Sequence, residues 1–181
     1  MPTSSADYRP ICLSNFTNKI CTKVLTSRLV KLLPIIISNK RAGFVKDRDQ
    51  ILIAQEMIHA IDKKVRGSNV VIKLDMAKAF DKLSWHYLFE VLARFGFSGK
   101  FISLIKANLR STYFFILING SPQGYFQPKR GVKQGDPLSP FLFIIASEGF
   151  TRTLNARMMN GSIKSYWFGP VGNPVLETPL V

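Results

Sequence analysis

Two acids within one short stretch are the residues of this chain best placed to do chemistry. Val70-Val71-Ile72-Lys73-Leu74-Asp75 is a β-rich apolar run that ends on a carboxylate, and Asp81 follows six residues later beside Phe80. The run is long enough for one buried strand, and a helical pattern takes over near Lys82-Leu83-Ser84-Trp85. A strand with a carboxylate at its tip, and an aromatic and a helix close behind, holds a hard oxygen donor on rigid elements. That is what a divalent-metal site needs. A plainer reading uses the same residues: Asp75 satisfies turn amides, and Asp81 or Ser84 caps the helix. The stretch alone leaves both open.

A second polar cluster lies further along. Gly131-Val132-Lys133-Gln134-Gly135-Asp136-Pro137 is a glycine-bounded loop with polar and charged tips. Ser139-Pro140 then forms an N-cap and N1 pair, so a helix is expected from there to near Met158. Its first turns, Phe141-Leu142-Phe143-Ile144-Ile145-Ala146, are apolar all round, as in a helix buried on every side.

The elements that must position these clusters can be read in order. Phe16, Ile20, Val24, Leu25, Leu29, Leu32 and Leu33 recur at helical spacing, with Lys19, Lys23, Arg28 and Lys31 between them, and Pro34 is expected to stop that helix. Such a basic helix faces either a phosphate backbone or solvent. Ala42-Gly43-Phe44-Val45 reads as a short extended piece, and a second helix is expected over Ile51 to Val65 with Gly67 beyond it. His59 on that helix reads as a surface histidine. Further helices are expected over Trp85 to Phe95 and Lys100 to Arg110. Tyr113 to Ile118 reads as a strand, and Asn119-Gly120 turns it into a hairpin that returns through Tyr125-Phe126-Gln127. Tyr166-Trp167-Phe168 and Val175 to Val181 read as strands.

Composition narrows the partners. The chain has 181 residues, 46% of them hydrophobic and 20% charged, which is globular and not disordered. Lys and Arg number 25 against 11 Asp and Glu, a net charge of +14. The positive residues are spread along the chain and not gathered in a tail, so a folded basic face or channel for a polyanion is expected, with nucleic acid the first candidate. The alternative is a basic but inert surface. Two cysteines, Cys12 and Cys21, without CxxC spacing, and two isolated histidines do not supply a zinc site. Both cysteines are expected to pack as small hydrophobes in a reducing compartment. No signal peptide opens the sequence and no apolar run reaches membrane length, so a soluble protein of the nucleus or cytoplasm, with no membrane partner, is expected.

The two clusters together are far more specific than either alone. Lys73-x-Asp75-x-x-x-x-Phe80-Asp81, followed by Arg130-Gly131-Val132-Lys133-Gln134-Gly135-Asp136-Pro137-Leu138-Ser139-Pro140, resembles the reverse transcriptases of LINE-type (non-LTR) retrotransposons, particularly plant ones. Tyr8-Arg9-Pro10-Ile11, Ala42-Gly43-Phe44-Val45 and Leu117-Ile118-Asn119-Gly120 extend the resemblance over nearly the whole chain.

The resemblance implies an α+β right-hand polymerase fold, with a fingers-like region over 1–67, a partial palm over 68–181 and no thumb. It implies RNA-directed DNA polymerase chemistry by a two-metal mechanism, with an RNA template, a DNA primer and dNTPs as partners. Asp75 would match the first palm carboxylate that holds catalytic Mg²⁺. Phe80 would match the aromatic floor that excludes a 2′-hydroxyl, and Gln134, Gly135 and Asp136 would line the nucleotide and template side. Arg48 and Arg9 would match fingers residues that approach the triphosphate, although Asp47 and Asp49 beside Arg48 offset its charge. The family's second acidic signature, aromatic-Ala-Asp-Asp, would follow the strand expected at Val175 to Val181. The ligand set for two Mg²⁺ ions is therefore incomplete here, and the chain by itself is expected to be inactive. The rival reading is a non-catalytic basic nucleic-acid-binding remnant.

Overall fold

The computed structural model describes residues 15–38, 55, 57–62, 69–72 and 74–164. The expected extended piece at 42–45, most of the helix over 51–65 and the strands at 166–168 and 175–181 lie outside them. Among the described residues the chain is helical, with one small antiparallel sheet, an α+β arrangement. It divides into two compact units, Met1–Leu33 with Ala77–Ala146, and Pro34–Met76 with Ser147–Val181.

In the first unit, α1 (Phe16–Leu29) starts where Asn15 accepts from the Asn18 amide through its side chain at 2.8 Å, satisfying one of the orphan N–H groups of the first turn. Its inward side is not the expected apolar stripe. Thr22 and Leu29 are buried, whereas Phe16, Ile20 and Val24 are exposed. Two polar side chains account for the difference. Asn18 Oδ1 accepts from Asn108 Nδ2 at 2.7 Å, and the Thr22 hydroxyl donates to the carbonyls of Asn18 and Lys19, so both are satisfied on the inner side. Cys21, adjacent to Thr22, is correspondingly exposed and does not pack as a small hydrophobe.

A one-turn helix, α3 (Ala79–Lys82), precedes α4 (Trp85–Arg94) and α5 (Gly99–Arg110). Ser84 and Ser98 cap the last two by accepting from the third residue onward, Tyr87 N and Phe101 N. Helix α4 buries Leu88, Val91 and Leu92, and α5 packs on it with Ile105 and Leu109 buried. Lys106 of α5 lies 5.0 Å over the Phe89 ring. The hairpin follows as expected: β1 (Phe114–Ile118) pairs antiparallel with β2 (Ser121–Phe126). Asn119 and Gly120 both take positive φ, 51° and 78°, the two left-handed positions of a type I′ turn.

Helix α6 (Ser139–Met159) begins in the first unit. Leu142, Ile144, Ile145 and Ala146 are buried, so its first turns have the all-round apolar environment their composition implies. The Tyr87 hydroxyl ties α4 to it by donating to the Ala146 carbonyl at 3.0 Å.

A short helix α2 (Leu33–Ile36) begins on the last residue of the first unit's N-terminal stretch and contains Pro34, the first residue of the second unit. Proline therefore opens a new turn here, where its missing N–H costs nothing, and does not simply end α1. On the later part of α6, Glu148 is fully buried and accepts from Ser38 Oγ at 3.1 Å and from Arg152 Nε at 3.2 Å. Arg152 also donates to the Ile36 carbonyl at 2.6 Å. His59 is exposed, as a surface histidine would be. Residues 70–72 and 74 are not a buried strand. Val70, Val71, Ile72 and Leu74 are all exposed, and the only strand pairing among the described residues is β1 with β2. An extended apolar segment needs a ladder partner to become a strand, and the described residues provide none.

Candidate nucleotide site

The candidate site is assembled around the turn that leads into helix α4. Asp75 is exposed in the irregular segment 74–76, at the end of a stretch belonging to the second unit. Lys78 then takes a left-handed conformation, φ 55° and ψ 45°, which is uncommon for a side chain with a Cβ. Its carbonyl accepts from the amides of Asp81 and Lys82, at 3.0 and 3.1 Å, which closes the single turn of α3.

Within the first unit that turn is bound to the glycine-bounded loop at several points. Gly131 N donates to the Leu83 carbonyl at 2.7 Å, and Val132 N donates to the Phe80 carbonyl at 2.8 Å. Trp85 Nε1 donates to the Gly131 carbonyl at 2.6 Å. Gln134 Nε2 donates to Asp81 Oδ1 at 3.0 Å. Gly131 makes this approach possible. Its φ is +84°, and a Cβ there would meet the Asp81 carbonyl oxygen at 2.7 Å, too close for any other residue. The Phe80 ring, half-buried, stacks on Phe143 of α6 with centroids 5.2 Å apart and planes 14° apart.

The sequence-derived residues are therefore placed differently from one another. Phe80 and Gln134 are held in one assembly with Asp81, Trp85, Gly131 and Phe143. Gly135 is exposed beside Gln134 with φ +87°. Asp136 is turned inward: it is 4% exposed, and Oδ1 accepts from the Leu138 amide at 2.8 Å, an Asx turn that leads into α6. Its other oxygen, Oδ2, is buried without a hydrogen-bond partner. Asp75 lies in the other unit, and Arg9 and Arg48 lie outside the described residues.

Trp85, Gly131 and Phe143 carry the assembly, yet residue type alone does not single them out. The glycine at the head of the loop is the one signal in the sequence, since it indicates a close backbone approach without saying to what. The approach is to the backbone of Asp81.

Residues 1–168 match the family model of the reverse transcriptase (RNA-dependent DNA polymerase), and the chain belongs to that family. It is 29% identical over 155 residues to the Transposon TX1 uncharacterized 149 kDa protein of Xenopus laevis, an alignment covering 84% of this chain and 12% of that protein. It is 30% identical over 151 residues to the Retrovirus-related Pol polyprotein from type-2 retrotransposable element R2DM of Drosophila melanogaster, covering 82% and 14%. A Probable RNA-directed DNA polymerase from transposon X-element of Drosophila melanogaster is 24% identical over 148 residues, covering 78% and 16%. The chain is a reverse transcriptase domain homologous to the RNA-directed DNA polymerases of non-LTR retrotransposons, and it spans a small part of the length of these relatives.

Proposed function

We propose that the chain forms the fingers-like and palm parts of a polymerase domain that copies RNA into DNA by template-directed nucleotidyl transfer. The observation that most supports this is the joint anchoring of Phe80 and Gln134 on one rigid set of elements, by the Phe143 stack and the Asp81 hydrogen bond. A ring held from behind can stand beneath a sugar and reject a 2′-hydroxyl by occupying its volume. An amide fixed through its NH₂ group leaves its carbonyl oxygen able to accept from an incoming nucleotide. Gly135 allows the backbone to come close to a base pair, while Asp136 holds the entrance to α6. Arg9 and Arg48 would meet the triphosphate as planar, always-charged donors.

Mg²⁺ fits Asp75 as a ligand, because the carboxylate is exposed and magnesium takes one or two carboxylates with substrate phosphates and water completing the shell. Among the described residues no group of three acids, histidines or cysteines could hold the ion alone. When bound, the metal would supply charge neutralisation at the triphosphate and at the attacking 3′-oxygen. The net charge of +14 suits a template–primer duplex, a dense line of phosphates. Among the described residues no helix is long and apolar enough to cross a membrane.

The test is dNTP binding, measured with and without Mg²⁺ on the 181-residue chain and its Asp75→Asn variant. The metal-dependent part of the affinity should disappear with Asp75, while affinity for an RNA–DNA duplex should not change. Duplex binding with no metal-dependent dNTP binding in either protein would replace this reading with that of a non-catalytic nucleic-acid-binding module.

A further inference from the structure

The first unit carries a second group of residues that none of the preceding roles uses. At the open end of the hairpin, Tyr113 and Tyr125 stack with centroids 4.8 Å apart and planes 2° apart. They are 49% and 74% exposed, so the pair presents an open aromatic face to solvent. Burial cannot be what keeps two large rings aligned there.

The charge along this part of the sequence is one-sided. From residue 91 to residue 135 the sequence has no Asp or Glu and seven Lys and Arg. Three of the seven are engaged elsewhere: Arg94 pairs with Glu90, Lys106 lies over Phe89, and Lys133 is buried. The other four, Lys100, Arg110, Lys129 and Arg130, are exposed. One of them, Arg110, is tied to the end of the hairpin that carries the tyrosines, and two more follow Tyr125 within five positions in sequence. Arg110 precedes Tyr113 by three residues, and its carbonyl accepts from the Gln127 side chain, two residues beyond Tyr125. Lys129 and Arg130 continue from that same end.

We propose that the open end of the β1–β2 hairpin binds unpaired RNA, with a base stacked on the outer face of Tyr125 and Arg110, Lys129 and Arg130 on the flanking phosphates. The choice of RNA rests on the polymerase reading above, and the choice of an unpaired strand rests on the rings. Every base has a π-face for an aromatic platform, but a paired and stacked base does not expose it. A protein partner is the weaker fit. Phe115, Ile116 and Ile118 are exposed further along the hairpin, but a sequence span with no acid and four exposed cations suits a polyanion better.

The experiment is an anisotropy titration of the 181-residue chain with a fluorescent uridine oligonucleotide and, separately, an RNA–DNA duplex of equal length. Tyr125→Ala should weaken oligonucleotide binding about tenfold, the size of one base–aromatic stack, and leave duplex binding unchanged. Tyr125→Phe keeps the ring and should bind as the parent does. Tyr125→Leu keeps apolar bulk without a π-face and should behave as the alanine variant, which separates stacking from loss of fold. Replacing Arg110, Lys129 and Arg130 together with Gln should flatten the salt dependence for the oligonucleotide by a slope of about 2, roughly 0.7 for each phosphate no longer neutralised.

Equal losses on both probes, or none on either, would overturn the proposal. So would a parent chain that sediments as a dimer, with Tyr125→Ala releasing monomers at unchanged RNA affinity, since the hairpin would then join two copies. A parent that binds neither probe would remove the nucleic-acid reading as a whole. Duplex binding together with Tyr125-independent oligonucleotide binding would remove only this site.

Discussion

Gln134 and Asp81 stand 53 positions apart in sequence and meet through one hydrogen bond of 3.0 Å, Nε2 to Oδ1. The bond fixes which way the Gln134 amide points. With the NH₂ group committed to a carboxylate, the carbonyl oxygen is the end left over for a ligand. An acid whose plainest reading is a helix cap thus orients the loop residue proposed above to face the nucleotide.

That relationship is measurable. In a double-mutant cycle with Asp81→Ala and Gln134→Ala, the coupling energy should be about 1–2 kcal/mol, since one partner is charged. Urea unfolding of the four proteins provides it. A coupling near zero would mean that the bond contributes nothing to holding the loop.

Gly131 and Gly120 share a positive φ but not their surroundings. A Cβ on Gly131 would meet the Asp81 backbone, whereas nothing lies within 4 Å of one on Gly120. Gly131→Ala should therefore cost roughly 3 kcal/mol or more, combining left-handed strain with overpacking, and Gly120→Ala roughly 1 kcal/mol from strain alone. Thermal melts of the two variants give the order. Equal shifts would show that backbone conformation, not the close approach, sets the requirement at Gly131.

Two ion pairs with the same four-residue spacing should differ sharply. Arg94 and Glu90 pair at 3.0 Å in the open, and Arg152 reaches a fully buried Glu148 at 3.2 Å. Arg94→Ala should change stability by less than about 0.5 kcal/mol. Arg152→Ala should cost about 2 kcal/mol, because it removes a charged donor from a carboxylate that water does not reach. Denaturant midpoints settle the comparison, and similar losses would contradict the role given to burial.

Phe80 offers a functional measurement. With Phe80→Val, the preference for deoxyribonucleoside over ribonucleoside triphosphates, measured as the ratio of their metal-dependent binding affinities, should fall about tenfold, the scale on which a pocket discriminates by steric fill. Phe143→Ala should lower it part of the way, by releasing the ring from behind. A preference unchanged by Phe80→Val would remove the steric role.

Local chemistry is the legible part of this fold. Asn119-Gly120 specifies its hairpin because only a few residues tolerate two successive positive φ values, and Ser84 marks a helix start through a bond from the residue three positions on, as Asn15 and Ser98, not singled out in the sequence, also do. What the sequence conceals depends on partners distant along the chain. The inner side of α1 is set by Asn108, and the apolar run at 70–74 has no described strand beside it. The site divides in the same way. Phe80 and Gln134 stand out through their motifs, but Trp85, Gly131 and Phe143 matter only through what they touch.

The left-handed backbone at Lys78 has a consequence for how this polypeptide tolerates change. A lysine there holds a mirror-image twist that glycine would adopt freely, so Lys78→Gly is one of the few exchanges in this turn expected to raise the melting temperature. A valine or isoleucine at that position would instead push the chain back toward ordinary geometry and unseat the ring two residues on.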